Sequence, residues 1–321
     1  MSTDSSKHTC RLTMLGTGSA LVTRCYNTCF TLHTPEAMLL VDAGGGNGIL
    51  AQLEKAGIKL GDVHHIFITH AHTDHIIGVL WVLRVYIQYA MSGMIEGQLH
   101  IYGHDKSLHV LRTMVELMLP AKLQQQIGTI IVLHELHAGD EWTVGDLNLT
   151  CFDILSTKEK QFGFTALLPD GQRLCCLGDE PYNPANEHYV KDVNWLLAEA
   201  FCLYDHRDIF KPYEKNHVTV KDAAEQAESL GVKNLVLYHA EDKNIEHRKE
   251  LYTAEAAAYY NGNVYVPDDL DTITLQDKES GDAPGCGRLL CGRKTLTNSL
   301  KVGSIMGHAS QLWTKRMCRK K

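Results

Sequence analysis

Residues 64–78, HHIFITHAHTDHIIG, constrain this chain more than any other stretch. Ile66, Phe67 and Ile68 form a short apolar, β-prone run that reads as a buried strand. The run leads straight into His70-Ala71-His72-Thr73-Asp74-His75, which sets four metal-capable side chains within six residues. In extended backbone, residues two apart share a side. His70, His72 and Asp74 are therefore expected to converge on one point, and His75 to face a second point nearby. Imidazole nitrogen suits zinc, and a carboxylate oxygen suits zinc, manganese or iron. The competing reading is a histidine-rich surface loop. The chain holds 18 histidines, enough for a chance pair, but chance rarely sets HxHxDH directly behind an apolar strand.

Apolar runs that end in a metal-capable residue recur along the chain. Residues 28–33 and 37–41 read as a hairpin whose second strand ends at Asp42, with Ala43-Gly44 next. A carboxylate there is costly unless it is hydrogen-bonded, and by itself Asp42 reads as a helix N-terminal or turn aspartate. Residues 162–168 and 173–177 read as a second hairpin, ending at Gly178-Asp179-Glu180. The strand at 195–199 ends on an acid, Glu199, and the strand at 234–238 ends at His239. His217-Val218-Thr219 precedes an amphipathic helix, 220–230, stopped by Gly231. Further helices are expected at 49–56, 76–89, 105–118 and 246–260. Further strands are expected at 11–15, 99–102, 130–133, 142–144, 147–155, 264–266 and 272–275. His134 and His137 are placed on a solvated turn ending at Asp140. Gly16-Thr17-Gly18-Ser19 lacks the lysine of a phosphate-binding loop and reads as a tight turn with positive φ.

The pattern His70-x-His72-x-Asp74-His75 resembles the signature of the metallo-β-lactamase fold hydrolases, and the resemblance extends over most of residues 11–276. LGTGSALVTRCYNT, residues 15–28, resembles the N-terminal motif of the ribonuclease Z branch. Thr23 and Asn27 fit that motif, while Val22 and Tyr26 stand where the branch usually has proline and arginine. His217 resembles the histidine of that branch's HST motif, with Val218 in place of the serine. The resemblance implies an α/β fold, an αββα sandwich of two mixed β-sheets with helices on the outer faces and metal loops at one edge. It implies a first metal site of His70, His72 and Asp179 and a second of Asp74, His75, Asp179 and His239. Asp179 would bridge the two, Asp42 would orient the histidines, and Glu180 would not be a ligand. The implied cofactor is a divalent metal, one or two ions, Zn2+ first and Mn2+ or Fe2+ as substitutes.

The family's third histidine on the first metal has no counterpart. No histidine lies between His137 and His188, and the best-fitting position holds Leu155, expected to be buried beside the first site. Three protein ligands plus water still make a catalytic zinc site. Ser156 offers only a poor oxygen ligand.

The resemblance implies hydrolysis by a metal-bound hydroxide, with Asp74 orienting or deprotonating the water and His217 protonating the leaving oxygen. The ribonuclease Z-like features favour a phosphodiester. A small phosphodiester is expected as substrate in preference to transfer RNA, because the span from Leu155 to Asp179 leaves room only for a hairpin and not for an RNA-gripping arm. Residues 1–276 also carry 21 of the 31 Lys+Arg and 35 of the 38 Asp+Glu, a net of −14, which is poorly suited to a phosphate backbone. The alternatives are a hydrolase of another ester, thioester or amide class, a β-lactam included, or a metal-binding protein whose turnover Leu155 impairs.

A chain of 321 residues, 44% hydrophobic, can bury one large core. Residues 1–276 are expected to form a single hydrolase domain. Residues 277–321, with 10 Lys+Arg against 3 Asp+Glu and no sustained period, read as a basic, flexible extension. No apolar run reaches membrane-span length, MSTDSSKHTC has no apolar signal core, and the ten cysteines contain no CxxC pair. A cytoplasmic protein with reduced cysteines and no membrane partner is expected, and a homodimer is compatible with the sequence.

Overall fold

Short apolar runs, several of them buried along their whole length, build two seven-stranded sheets, seen in a computed structural model that describes residues 9–276. The expected extension at 277–321 lies outside the described residues. The first sheet has the order β14-β1-β2-β3-β4-β5-β6. Its strands are β1 (Arg11–Gly16), β2 (Cys29–His33), β3 (Met38–Val41), β4 (His65–Phe67), β5 (Leu99–Gly103), β6 (Ile131–Glu135) and β14 (Thr272–Thr274). The second has the order β13-β12-β11-β10-β9-β8-β7. Its strands are β7 (Glu141–Val144), β8 (Leu147–Asp153), β9 (Phe162–Leu167), β10 (Arg173–Cys176), β11 (Trp195–Glu199), β12 (Asn234–Tyr238) and β13 (Asn263–Tyr265). Both sheets are mixed in the same way. β14-β1-β2-β3 and β7-β8-β9-β10 pair antiparallel, and β3-β4-β5-β6 and β10-β11-β12-β13 pair parallel.

Among the described residues eight α-helices flank the sheets: α1 (Gly48–Lys55), α2 (Thr73–Met91), α3 (Asp105–Met118), α4 (Ala121–Gln124), α5 (Glu187–Val190), α6 (Arg207–Phe210), α7 (Val220–Ser229) and α8 (Arg248–Ala256). Three apolar layers result. Phe30, Phe67, Phe164 and Trp195 meet between the sheets. Ile66, Ile68, Val79 and Leu83 join the first sheet to its helices. Leu196, Leu235, Ala224 and Tyr252 do the same for the second. Phe67 stacks on Trp142 at 5.6 Å and meets Phe164 edge-on at 5.3 Å, while its neighbours Ile66 and Ile68 point the other way, under α2. Burying such a ring stabilises by about 1.5–3 kcal/mol. Among the described residues no helix is long and apolar enough to cross a membrane.

Three local expectations are corrected. α2 starts at Thr73, three residues earlier than expected, with His72 as its N-cap. Asp74 and His75 therefore sit in a helical first turn, where a carboxylate is favoured by the unpaired amides, and not on an extended segment. His134 lies inside β6, its Nε2 2.9 Å from His100 Nδ1, and only His137 is solvated. The glycines of the 16–19 loop do not need positive φ. They allow close approach instead: a Cβ on Gly16 would overlap the Asn27 carbonyl, and one on Gly18 would overlap Val22. The Thr17 and Gly18 amides both donate to the Tyr26 carbonyl and are not open to a phosphate.

Candidate metal centre

The C-terminal ends of the parallel strands carry the polar residues. Asp42 lies one residue past β3, in left-handed backbone at φ 54°. Its buried carboxylate is fully used. Oδ1 accepts from the Thr69 amide at 2.9 Å, and Oδ2 accepts from Thr69 Oγ1 at 2.6 Å and from His75 Nδ1 at 2.7 Å. A proton on His75 Nδ1 leaves Nε2 turned inward, so Asp42 has the orienting geometry and not that of a bare turn residue.

The first turn of α2 is pinned to the same corner. Ala43 N donates to His75 O at 3.0 Å, and Gly78 N donates to Gly44 O at 2.8 Å. A Cβ on Gly78 would overlap the Ala43 carbonyl oxygen.

Two half-sites share Asp179, which stands just past β10. In one, His75 Nε2 lies 3.4 Å from Asp74 Oδ2 and 3.8 Å from Asp179 Oδ2, and His239 Nε2 lies 3.6 Å from each of those oxygens. Both Nε2 atoms are buried without a hydrogen-bond partner. Tetrahedral ligands on bonds of about 2.0–2.2 Å stand roughly 3.3–3.6 Å apart, so the four atoms are spaced for a shared cation. Charge agrees. Burial opposes it, yet Asp42 and Asp74 hold His75 well above the usual imidazole range, and Asp74 and Glu199 raise His239 to about 9. Burial likewise works against Asp74 and Asp179, but the imidazoles hold both below the usual carboxylate range. This pocket favours positive charge, whether protons or a divalent cation.

The other half-site is different. His70 Nε2 lies 3.7 Å from Asp179 Oδ1 but only 2.9 Å from His72 Nδ1. His70 Nδ1 is 2.9 Å from Thr69 Oγ1, whose own proton goes to Asp42. That network, by inference, puts the His70 proton on Nδ1 and makes His72 Nδ1–H the donor to His70 Nε2. A cation that took both nitrogens would have to displace that proton. Burial holds the His70 imidazole well below its usual range, so it stays neutral. His70, His72 and Asp179 are near enough to hold an ion, as are Asp74, His75 and His239. The two sets together contain the six ligands that the family resemblance implies.

His217 faces the second half-site from the loop before α7. Its ring stacks on Phe201 at 4.9 Å and 11° and lies 5.3 Å from the His239 ring. Its Nδ1 is 2.7 Å from Glu199 Oε2, which also lies 3.4 Å from His239 Nδ1, while Glu199 Oε1 accepts from the Val218 amide at 3.0 Å. Glu199 was not singled out as a site residue. The signal that could have found it is the acid ending an apolar strand. Glu199, His217 and His239 are also close enough to form a metal-binding group.

The 16–19 loop supports His239: Ser19 N donates to Ala240 O at 3.0 Å, and Ala240 N donates to Thr17 O at 3.1 Å. Leu155 is not buried as expected. It is 48% exposed, in left-handed backbone at φ 62°, with its amide donating to Asp153 Oδ1 at 2.8 Å. Ser156 Oγ is taken by Glu180 Oε1 at 2.9 Å, and Glu180 also accepts from Asn216.

A family model described as Anti-Pycsar protein Apyc1 matches residues 10–256. The ribonuclease Z of Myxococcus xanthus (strain DK1622) is 26% identical over 314 residues, covering 83% of this chain and 97% of that protein. Among solved structures, the metallo-β-lactamase fold protein YhfI from Bacillus subtilis gives a TM-score of 0.68 at 16% identity, covering 83% of this chain and 99% of that one. The short form of human tRNase Z gives a TM-score of 0.63 at 23% identity over the same shares. These likenesses show the metallo-β-lactamase fold, and the sequence relatives are of the ribonuclease Z kind.

Proposed function

The chain belongs to the Anti-Pycsar protein Apyc1 family, and from that premise we propose that it is a metal-dependent phosphodiesterase acting on a small diester such as a cyclic nucleotide. One observation carries the reading. Asp179 turns Oδ1 to His70 at 3.7 Å and Oδ2 to His239 at 3.6 Å, so one carboxylate serves both half-sites, with His217 beside them. The ribonuclease Z relatives support a phosphodiester. The short connection between β9 and β10 and the acidic body favour a small one over RNA.

Asp74, His75, Asp179 and His239 would hold one ion, and His70, His72 and Asp179 would hold a second more weakly. A bound divalent ion polarises a phosphoryl oxygen and lowers the pKa of a water molecule toward about 7. Asp74 orients the attacking water and accepts its proton as the oxygen bonds to phosphorus. His217 delivers its Nε2 proton to the leaving oxygen as the second P–O bond breaks, and Glu199 holds the imidazolium at Nδ1. Asp42 and Thr69 fix the rings and take no part in the proton transfers. The mutual bond of His70 and His72 and the absent third imidazole favour a second reading, a metal-binding protein of impaired turnover.

The test is a substrate panel on protein of defined metal content: cyclic nucleotides, a nitrophenyl phosphodiester, a thioester and a β-lactam. Cleavage of the diesters alone is expected. Thioester or β-lactam cleavage without diester cleavage would overturn the reading, and metal uptake without any turnover would select the second one.

A further inference from the structure

The first half-site lacks a third imidazole, and the chain sets a different positive charge beside it. Lys158 lies in the 154–161 connection between β8 and β9, three residues past Leu155. Its Nζ is 3.2 Å from Glu180 Oε1 and donates to the Lys215 carbonyl at 2.7 Å. Glu180 directly follows Asp179 and is buried, further anchored by Ser156 and Asn216. The ammonium is thus tethered one residue from the shared carboxylate. The Lys158 side chain remains 30% exposed. An ammonium has three N–H donors, and these two partners leave one for a ligand.

The two half-sites also differ in readiness. In the second, His75 Nε2 and His239 Nε2 have no hydrogen-bond partner, whereas in the first the two imidazoles satisfy each other. Asp42, Asp74, Asp179 and Glu199 stand among the metal-capable groups of the site. An anionic diester entering it needs cationic charge on both sides of the phosphate to offset repulsion.

We propose that Lys158 is a phosphate-binding residue: its ammonium donates to a non-bridging oxygen of the substrate next to the first half-site, so one tightly held ion at the second half-site suffices. The proposal rests on the phosphodiester reading for its substrate, but its anion site can be measured separately.

The experiment uses full-length protein as isolated with metal. It compares wild type, Lys158→Ala and Lys158→Arg by elemental analysis, calorimetric titration with inorganic phosphate, and hydrolysis of a nitrophenyl phosphodiester. About one tightly held ion per chain is expected in all three. Phosphate affinity should fall roughly 10- to 100-fold in Lys158→Ala, as for loss of a hydrogen bond to a charged group, and should largely survive in Lys158→Arg. For the diester, KM should rise more than kcat falls in Lys158→Ala. Equal phosphate affinity in wild type and Lys158→Ala, no phosphate binding by wild type, or two tightly held ions in wild type would each overturn the proposal. Diester hydrolysis with phosphate binding indifferent to Lys158 removes the lysine role and leaves the phosphodiester reading. Lys158-dependent phosphate binding without diester hydrolysis does the reverse.

Discussion

Glu199 Oε2 sits 2.7 Å from His217 Nδ1, and this contact fixes which His217 nitrogen faces the candidate metal centre. The same oxygen lies 3.4 Å from His239 Nδ1, an ion-pair distance without a hydrogen bond, so one carboxylate orients His217 and sets its charge beside His239. Sheet pairing makes this so: β11 and β12 run parallel with Glu199 beside Tyr238, which places the acid next to the strand end that carries His239.

If His217 is the general acid, His217→Ala should lower turnover of an alkyl phosphodiester by roughly 100- to 10,000-fold with metal content unchanged. A nitrophenolate leaving group needs little protonation, so its loss should be smaller. Glu199→Gln keeps the shape but removes the charge that stabilises the imidazolium, and it should show the same leaving-group dependence with a smaller loss. Equal losses for good and poor leaving groups, read from steady-state rates, would argue against the acid role.

The half-sites should separate on chelation. Closing the first around a cation breaks the His70–His72 bond, whereas the second has unpartnered nitrogens and four nearby carboxylates. His239→Ala and His75→Ala should therefore abolish tight metal binding. His72→Ala should leave about one ion per chain. Asp42→Ala, which frees the His75 ring, should cost roughly 10- to 100-fold in metal affinity. Metal-per-chain measurements after dialysis against a graded chelator series decide this, and loss of all metal in His72→Ala would contradict it.

Gly78 lets α2 approach Ala43 closely enough for the backbone bonds that seat Asp74 and His75. Gly78→Ala must push the helix outward, because the overlap is with a backbone carbonyl. A destabilisation of about 1–3 kcal/mol is expected, together with weaker metal binding. Thermal unfolding with and without metal checks it. An unchanged Tm and full metal content would show that the corner yields freely.

Legibility in the sequence followed the range of the interaction. Asp42, Asp179 and His239 were visible because each ends an apolar run, a pattern local in sequence. Glu199 showed the same pattern but gained meaning only through its neighbour strand, and no local rule pairs it with His217 some 18 residues on. The HxHxDH stretch was placed correctly but given one conformation too many residues long. The helix start at Thr73 divides it, sending His70 and His72 to one half-site and Asp74 and His75 to the other. His134 looked like a turn residue because β6 extends past its apolar stretch and pairs with β5 through Glu135. The layered fold was the most legible part, since the order of short apolar runs and amphipathic helices agreed with the family resemblance.

Leu155 offers the sharpest test of the incomplete half-site. The left-handed backbone at φ 62° is uncommon for leucine and better tolerated by histidine, and the side chain is 48% exposed. Leu155→His therefore buries no polar ring and should not destabilise the metal-free protein, contrary to what a buried leucine would predict. Ser156 cannot take the role without giving up Glu180, to which its hydroxyl is bonded at 2.9 Å. If position 155 reaches the first half-site, the new imidazole should compensate for the displaced His70–His72 bond. A second ion should then be retained, and turnover should rise when metal is limiting. A metal titration of both activity and bound ions, run on wild type and Leu155→His, separates the cases. A second ion held only by the variant places the missing ligand at 155. Identical titrations with an unchanged Tm would make Leu155 an ordinary surface residue and leave the first half-site with two imidazoles and the shared carboxylate.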